Sequence, residues 1–316
     1  MKLVIQIPSY NEAETLPQML NDLPDTIPGV DEISILIIND GSTDGTEAVA
    51  KAKGCHVVSH TRNLGLARSF MTGIETALSM GADLIVNTDA DNQYDASCIA
   101  DLLQPILRRE AEMVIGERPI ESIDSFSWLK KRLQRVGSRM VAMLSGTQIR
   151  DAPSGFRAFS RKAAEQLNVF SEYTYTLETL IQAGHRNIPL TSVPIRVNRV
   201  ERPSRLVKSI PSYIRRSVLT MFHVFLLYSP MKFFFTLGTF FVFLGMIPGI
   251  RFIYHYFSDG GAGKVQSLIF MAVLIVAGLL CYTVGLITDL IAVNRQLLED
   301  IRVQVRRLNS DQNRGN

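Results

Sequence analysis

Two stretches near the C-terminus constrain this chain most. Phe233 to Ile250 and Val265 to Thr288 carry no charged residue. A helix needs about 20 apolar residues to cross a bilayer, so both qualify, and "RFIYHYF" extends the first. Two buried core helices would pass the same length test. Adjacent uncharged stretches of this size are rare in soluble domains, which favours membrane spans. The short "SDGGAGK" between them makes the pair a hairpin. Arg215, Arg216 and Lys232 precede it, Arg295, Arg302, Arg306 and Arg307 follow it, and Arg251 and Lys264 flank the turn. The positive-inside bias is modest and puts both ends of the chain in the cytoplasm. The expectation is a multi-pass protein of the cytoplasmic membrane.

Just before the hairpin, Ser204 to Tyr228 interleaves Arg205, Lys208, Arg215 and Arg216 with Leu206, Val207, Ile210, Tyr213, Ile214 and Val218. Such a pattern suits a helix lying at the membrane surface. An amphipathic helix packed on a domain would look the same; its place beside a span favours the interfacial reading. The chain then divides into a domain over 1–203, juxtamembrane helices over 204–230, two spans over 231–293 and a cytoplasmic tail over 294–316.

The first 200 residues read differently. A hydrophobic fraction of 47% and a charged fraction of 20% leave room for a folded domain outside the bilayer. Apolar runs at Leu3–Ile7, Ile33–Ile38, His56–Ser59, Asp83–Val86 and Met113–Gly116 predict strands. Helical patterns separate them. Leu66, Phe70, Ile74, Ala77 and Leu78 fall near one helical face, and Asn11 with Glu14 forms a capping box before "TLPQML". Alternating strands and helices predict an α/β fold: a mainly parallel sheet covered on both faces. Ligands of such sheets bind beyond the carboxyl ends of the strands. "PSYNE", "NDGSTDGT" and "TDADNQ" follow three of the strands and should share one rim.

The remaining composition excludes more than it suggests. A net charge of +3 does not argue for nucleic acid. The 3 cysteines are widely spaced, so neither a disulfide framework nor a zinc site is indicated, and a reducing compartment is the simple reading. The 5 histidines form no ligand pair at helical spacing. "MKLVIQIPSY" is too short an apolar run for a signal peptide.

"NTDADNQYD" is where chemistry is expected. Asp89 and Asp91 stand one residue apart at the end of a buried strand, followed by Gln93 and Asp95. Crowded carboxylates repel unless a cation lies between them. Hard oxygen ligands with an incompletely filled shell suit Mg2+ or Mn2+ shared with phosphates. "NDGSTDGT" adds Asp40, Gly41 and Ser42 and a helix start near Asp44 to Thr46. Taken alone, it is equally a turn with an N-cap.

"IPSYNE", "NDGSTDGT", "RNLGLARSFMTGIETA", "TDADNQ", "IGER" and "SGFRAFSR" occur in the order and spacing of family 2 glycosyltransferases. The set most resembles the dolichyl-phosphate mannose synthase group of polyprenyl-phosphate sugar transferases, in its membrane-anchored branch. The likeness covers about residues 1 to 206. It implies a GT-A fold, a nucleotide-sugar donor (GDP-mannose or UDP-glucose), a polyprenyl phosphate acceptor in membrane lipid, and inversion at the sugar. By position, the resemblance implies that Pro8, Tyr10, Glu12, Asp40 and Asp89 hold the nucleotide sugar. Asp89, Asp91 and Gln93 would surround the metal. Asp91, Asp151 and Arg118 would form the catalytic set, with Asp151 a base or a sugar-orienting residue. Arg118, Arg199, Ser204 and Arg205 would take the acceptor phosphate. The arginines have no acidic partner nearby in sequence, so Arg118, Arg199 and Arg205 are expected to converge on phosphate.

The pattern also departs from the family. Gly116-Glu117-Arg118 stands where Gly-Ser-Arg is frequent, Arg202 where Gly is common, and Arg205 replaces Lys; Gln134 lies near the Ser of some relatives. A processive polysaccharide synthase is excluded by the missing Gln-x-x-Arg-Trp signature, because the single Trp128 follows Ser-Phe-Ser. No Gly-rich loop after the first strand supports a nucleotidyltransferase. An inactive membrane scaffold, or a different acceptor, are the competing readings. The sequence leaves the sugar, the polyprenol length and homo-oligomer formation open.

Overall fold

A computed structural model describes residues 1–119, 137–138, 149, 151–169, 175–198, 219, 222, 226, 230–259 and 265–315. The chain forms two compact units, Met1–Ser217 with Arg302–Asn316, and Val218–Ile301.

The first unit is built on a seven-stranded sheet. In chain order the described elements are β1 (Lys2–Ser9), α1 (Leu16–Asp22), β2 (Glu32–Asn39), α2 (Thr46–Ala52), β3 (His56–Ser59), α3 (Leu66–Ser79), β4 (Leu84–Asn87), α4 (Ile99–Leu107), β5 (Met113–Glu117), β6 (Arg157–Ser160), α5 (Arg161–Gln166), α6 (Thr176–His185) and β7 (Leu190–Pro194). The order across the sheet is β3-β2-β1-β4-β6-β5-β7. All neighbours pair in parallel except at β6, which runs antiparallel to both β4 and β5.

The five expected strands are β1 to β5. Their apolar runs are nearly continuous because both faces are covered. Leu3, Ile5 and Ile7 of β1 join a core with Leu16, Met19 and Leu20 of α1 and Ile99, Leu102, Leu103 and Ile106 of α4. Gln6 points to the opposite face, where its amide donates to the Phe70 carbonyl of α3 at 3.4 Å. Phe70, Ile74, Ala77 and Leu78 are buried, as the helical spacing predicts.

The capping box expected at Asn11 and Glu14 is not formed; α1 begins at Leu16 without a side-chain cap, helped by a proline in its first turn. Asn11 instead takes a left-handed backbone (φ 54). Its Oδ1 accepts from the Thr43 N–H at 2.9 Å, and its own N–H donates to Ser42 Oγ at 3.0 Å. A tie between two rim loops has displaced the local cap.

The second unit holds α7 (Pro230–Asp259) and the start of α8 (Val265–Gly315). Pro230–Ser258 and Val265–Arg295 are long and apolar enough to cross a membrane, with mean hydropathies of 2.0 and 2.5, and only 17% and 11% of their apolar windows are buried. Helices so exposed are not the core of a soluble domain. They meet through glycines: a Cβ on Gly278 would lie 2.7 Å from Val242, and one on Gly238 2.9 Å from the Gly278 carbonyl. Small residues let membrane helices approach this closely. Thr239 and Tyr282 add a hydroxyl–hydroxyl bond of 2.9 Å. The expected tail over 294–316 continues α8 without a break up to Gly315. Most of 204–230 lies outside the described residues.

Candidate active site

The rim beyond the carboxyl ends of β1, β2 and β4 collects the polar loops. After β4 the chain turns through Asn92, which takes a left-handed φ of 56° that asparagine tolerates. Asp91 Oδ1 accepts from the Gln93 N–H at 3.1 Å, closing an Asx turn that leaves the carboxylate at the surface. Asp89 turns inward. A Cβ on Gly155 would stand only 3.0 Å from its Oδ2, so glycine is what admits the carboxylate there. The Tyr94 hydroxyl donates to Asp89 and accepts from the Gly155 N–H at 3.0 Å.

This crowding is electrostatically unfavourable for the protein alone. Burial, then the neighbouring Asp91 charge, push the Asp89 carboxyl up to about 7. Asp91, though open to solvent, is raised as well, by partial desolvation among the packed rim loops and by the Glu12 charge. The Arg118 charge opposes both shifts without cancelling them. Among the described residues no group of three His, Cys, Asp or Glu converges on one metal position. The two aspartates therefore fit a hard cation that takes its other ligands from phosphate oxygens and water, and do not fit a closed protein cage.

Arg118, just beyond β5, is not the unpartnered cation its sequence neighbourhood suggests. Its Nε and Nη2 reach Asp151 Oδ2 and Oδ1 at 2.8 and 2.9 Å, and its backbone N–H adds a third bond of 3.2 Å. The pair is almost completely buried, with side-chain exposures of 9% and 0%. Burial alone would lower the guanidinium; the Tyr94, Asp151 and Asp89 oxygens more than offset this and raise it. The partner lies 33 residues away, so sequence adjacency could not reveal it. With both oxygens on Arg118, Asp151 suits orientation better than proton abstraction.

Arg157, beside this candidate site, is a residue that the sequence alone does not single out. It is fully buried, and its fork bonds the Ser154, Ala152 and Thr176 carbonyls and Thr179 Oγ1 at 2.6–2.9 Å. Burial lowers it to about 10. It pins the Ala152–Ser154 turn that carries Asp151 and Gly155. Asn87 completes the floor, donating to the Gly155 carbonyl (2.8 Å) and to Tyr175 Oη (2.9 Å) while accepting from Gln6 (2.8 Å). The only sequence signal for Arg157 was its place within "SGFRAFSR", one of the motifs that carry the family resemblance.

The expected nucleotide residues fall in three environments. Pro8 is buried in β1, past the β4 ladder, where its missing N–H costs nothing. Tyr10 is 43% exposed at the rim. Glu12 lies close enough to act on Asp91, and its Oε2 accepts from Thr15 Oγ1 at 2.7 Å. Asp40 is buried and committed inside the protein: it accepts from the Leu64 and Gly65 N–H groups at 2.9 Å and pairs with His60 at 2.7 Å. Asp40 thereby holds the Arg62–Gly65 loop against the end of β2. Gly41 (φ 68) lets that loop approach, since a Cβ there would sit 2.4 Å from the Arg62 carbonyl carbon. Gln93 is half-buried beside Asp91. Arg199, Ser204 and Arg205 lie outside the described residues, so their expected convergence with Arg118 is not placed.

Residues 4–167 match the family described as "Glycosyl transferase family 2", more than half of the chain. The chain belongs to glycosyl transferase family 2. A relative named UDP-N-acetylglucosamine–dolichyl-phosphate N-acetylglucosaminyltransferase, from Methanococcus voltae, is 30% identical over 60% of this chain and 83% of its own length. The polyprenol monophosphomannose synthase of Mycolicibacterium smegmatis is 26% identical over 69% of this chain and 84% of its own. Among solved structures, glucosyl-3-phosphoglycerate synthase of Mycobacterium tuberculosis, crystallised with Mn2+ and UDP-glucose, aligns with a TM-score of 0.53 at 20% identity, covering 70% of this chain and 78% of that one. The shared family 2 fold is therefore GT-A, the mainly parallel sheet with its ligand rim described above. On that rim the Arg118–Asp151 fork lies close enough to Asp89 and Asp91 for the Arg118 charge to act on both.

Proposed function

We propose that this transferase moves a hexose from a nucleotide sugar to the phosphate of a polyprenyl phosphate, with inversion, at the cytoplasmic face of a membrane. The observation that carries this reading is the rim on which a cation-seeking carboxylate pair, Asp89 and Asp91, feels the charge of a buried Arg118–Asp151 fork, in a chain with two membrane-length helices. The relatives above, named for sugar transfer to dolichyl phosphate and for monophosphomannose synthesis on polyprenol, support the acceptor class. GDP-mannose and UDP-glucose are the donors we favour.

Mg2+ or Mn2+ on Asp91, backed by Asp89 and Gln93, would supply Lewis-acid stabilisation to the departing nucleoside diphosphate. The chain's own residues do the rest. Glu12, Tyr10 and the loop held by Asp40 border the space for the nucleotide. The acceptor is a phosphate, already anionic near neutrality, and needs alignment more than deprotonation. Asp151 holds Arg118 in a fixed plane, which presents its remaining N–H groups to phosphate or sugar oxygens. Arg199, Ser204 and Arg205 stand in the sequence between domain and membrane, where the lipid phosphate arrives. Attack from the face opposite the leaving group inverts the anomeric carbon. The test is to incubate membranes carrying this protein with each labelled nucleotide sugar and extract the lipids. A labelled anionic lipid that depends on added polyprenyl phosphate is expected; label only in water-soluble or polymeric material would reject the acceptor.

A further inference from the structure

The chain after β7 does something that the transfer reaction, as described above, leaves unused. Residues Ile195 to Asn198 run back along the metal loop and bond to it repeatedly. The Asn198 N–H donates to the Gln93 carbonyl at 2.9 Å, and Asn198 Nδ2 to the Asn92 carbonyl at 3.1 Å. Val197 bridges Tyr94. Arg196 Nε reaches Asp95 Oδ2 at 2.8 Å and its Nη2 reaches Ser97 Oγ at 2.7 Å, while the Asp95 N–H donates to the Arg196 carbonyl at 3.3 Å. From the other side, Asn92 Nδ2 donates to Asp22 of α1 at 2.8 Å.

These contacts select one loop shape. Its central residue, Asn92, takes a left-handed φ of 56°, which asparagine tolerates but shares with its other backbone states. The Asx turn that aims Asp91 uses the N–H of Gln93, the next residue. Asn198 grips both carbonyls flanking that N–H. Stability alone does not explain the arrangement: the Arg196 side chain is 68% exposed, and exposed ion pairs contribute little to folding.

We infer that Arg196 and Asn198 are positioning residues that hold the Asp91–Asp95 loop in the shape that binds the metal–diphosphate, and that they tie this shape to the acceptor side of the enzyme. Arg199, proposed for the acceptor phosphate, is the next residue in the chain. Acceptor binding that steadies this segment steadies the metal loop. By linkage, metal–diphosphate binding favours the acceptor equally. The inference rests on the proposed polyprenyl-phosphate transfer and its metal at Asp91, and its readout is binding, measured without turnover.

The full chain in lipid nanodiscs is titrated with Mn2+ in the presence of UDP and, separately, GDP, following free Mn2+ by electron paramagnetic resonance, with and without undecaprenyl phosphate in the bilayer. Asn198→Ala removes one loop bond and should weaken Mn2+ binding about five-fold, the scale of a single hydrogen bond. Arg196→Ala should weaken it too, and the exchange Asp95→Arg with Arg196→Asp should restore part of the loss. Melting temperatures should stay near the wild-type value. Undecaprenyl phosphate should tighten Mn2+ binding in the wild type and not in Asn198→Ala. Wild-type binding with either nucleotide, unchanged in both single variants, overturns the inference while the metal reading stands. An equal lipid effect in Asn198→Ala overturns the tie to the acceptor. Absence of Mn2+ binding in the wild type with both nucleotides overturns the metal reading and this inference together.

Discussion

Asp89 carries the sharpest consequence at the level of single residues. With its carboxyl raised to about 7 from the ordinary 3.8, the folded cation-free protein keeps a proton that the unfolded chain has lost. Stability therefore falls as pH rises between about 4 and 7 and levels off above, because the native state binds more protons in that window. Thermal unfolding across this range should show the decline, and Mg2+ should blunt it; a flat profile without metal would show that Asp89 ionises normally. Gly155 makes a second test. A methyl there would meet Tyr175 Oη at 2.8 Å and Asp89 Oδ2 at 3.0 Å, so Gly155→Ala should displace the carboxylate. We expect about a ten-fold or greater loss of kcat in a folded protein, in line with the sensitivity of catalysis to small misplacements. Kinetics with a folding control by circular dichroism decide it. Asp89 and Asp91 were legible in the sequence because like charges at a strand end are conspicuous. The Arg118–Asp151 fork and buried Arg157 were not: each depends on partners that only folding brings together, and an isolated arginine reads as surface.

Elements follow the same division. β1 to β5 were visible as apolar runs, since central parallel strands are buried on both faces. β6 was missed, because "RAFS" opens on a charged residue and is only four residues long. Its antiparallel insertion between β4 and β5 is what brings Gly155 under Asp89 and Arg157 under the rim. β7, "LTSVP", is half-exposed at the sheet edge and lacks the apolar signal. The two membrane-length helices were legible from length alone, but the glycines that join them were not. Gly278→Leu should push α7 and α8 apart and lower stability by about 1–3 kcal/mol, the usual cost of overpacking. Val276→Leu, on an outward-facing position that is 55% exposed, should have little effect. Unfolding in detergent compares the two; equal stability would mean that the glycines do not set the helix contact.

At the scale of the molecule, a rim with soluble-enzyme chemistry shares a chain with two membrane-length helices. The hairpin reading predicts that cysteines placed between Ser258 and Gly263 react with an impermeant reagent from outside, and a cysteine at Ser310 only after the cytoplasmic side is opened; a tail labelled from outside would overturn the orientation. The central claim is that Asp91 and its cation drive sugar transfer to polyprenyl phosphate. It is tested most directly by reconstituting wild type and Asp91→Asn with polyprenyl phosphate and each labelled nucleotide sugar, and following lipid-linked sugar and released nucleoside diphosphate together. The account predicts equal amounts of both products from one donor, abolished by chelation, and a rate about two to three orders of magnitude lower in folded Asp91→Asn, the usual effect of losing such electrostatic stabilisation. Near wild-type turnover by Asp91→Asn in saturating Mg2+, or turnover that survives chelation, would contradict it.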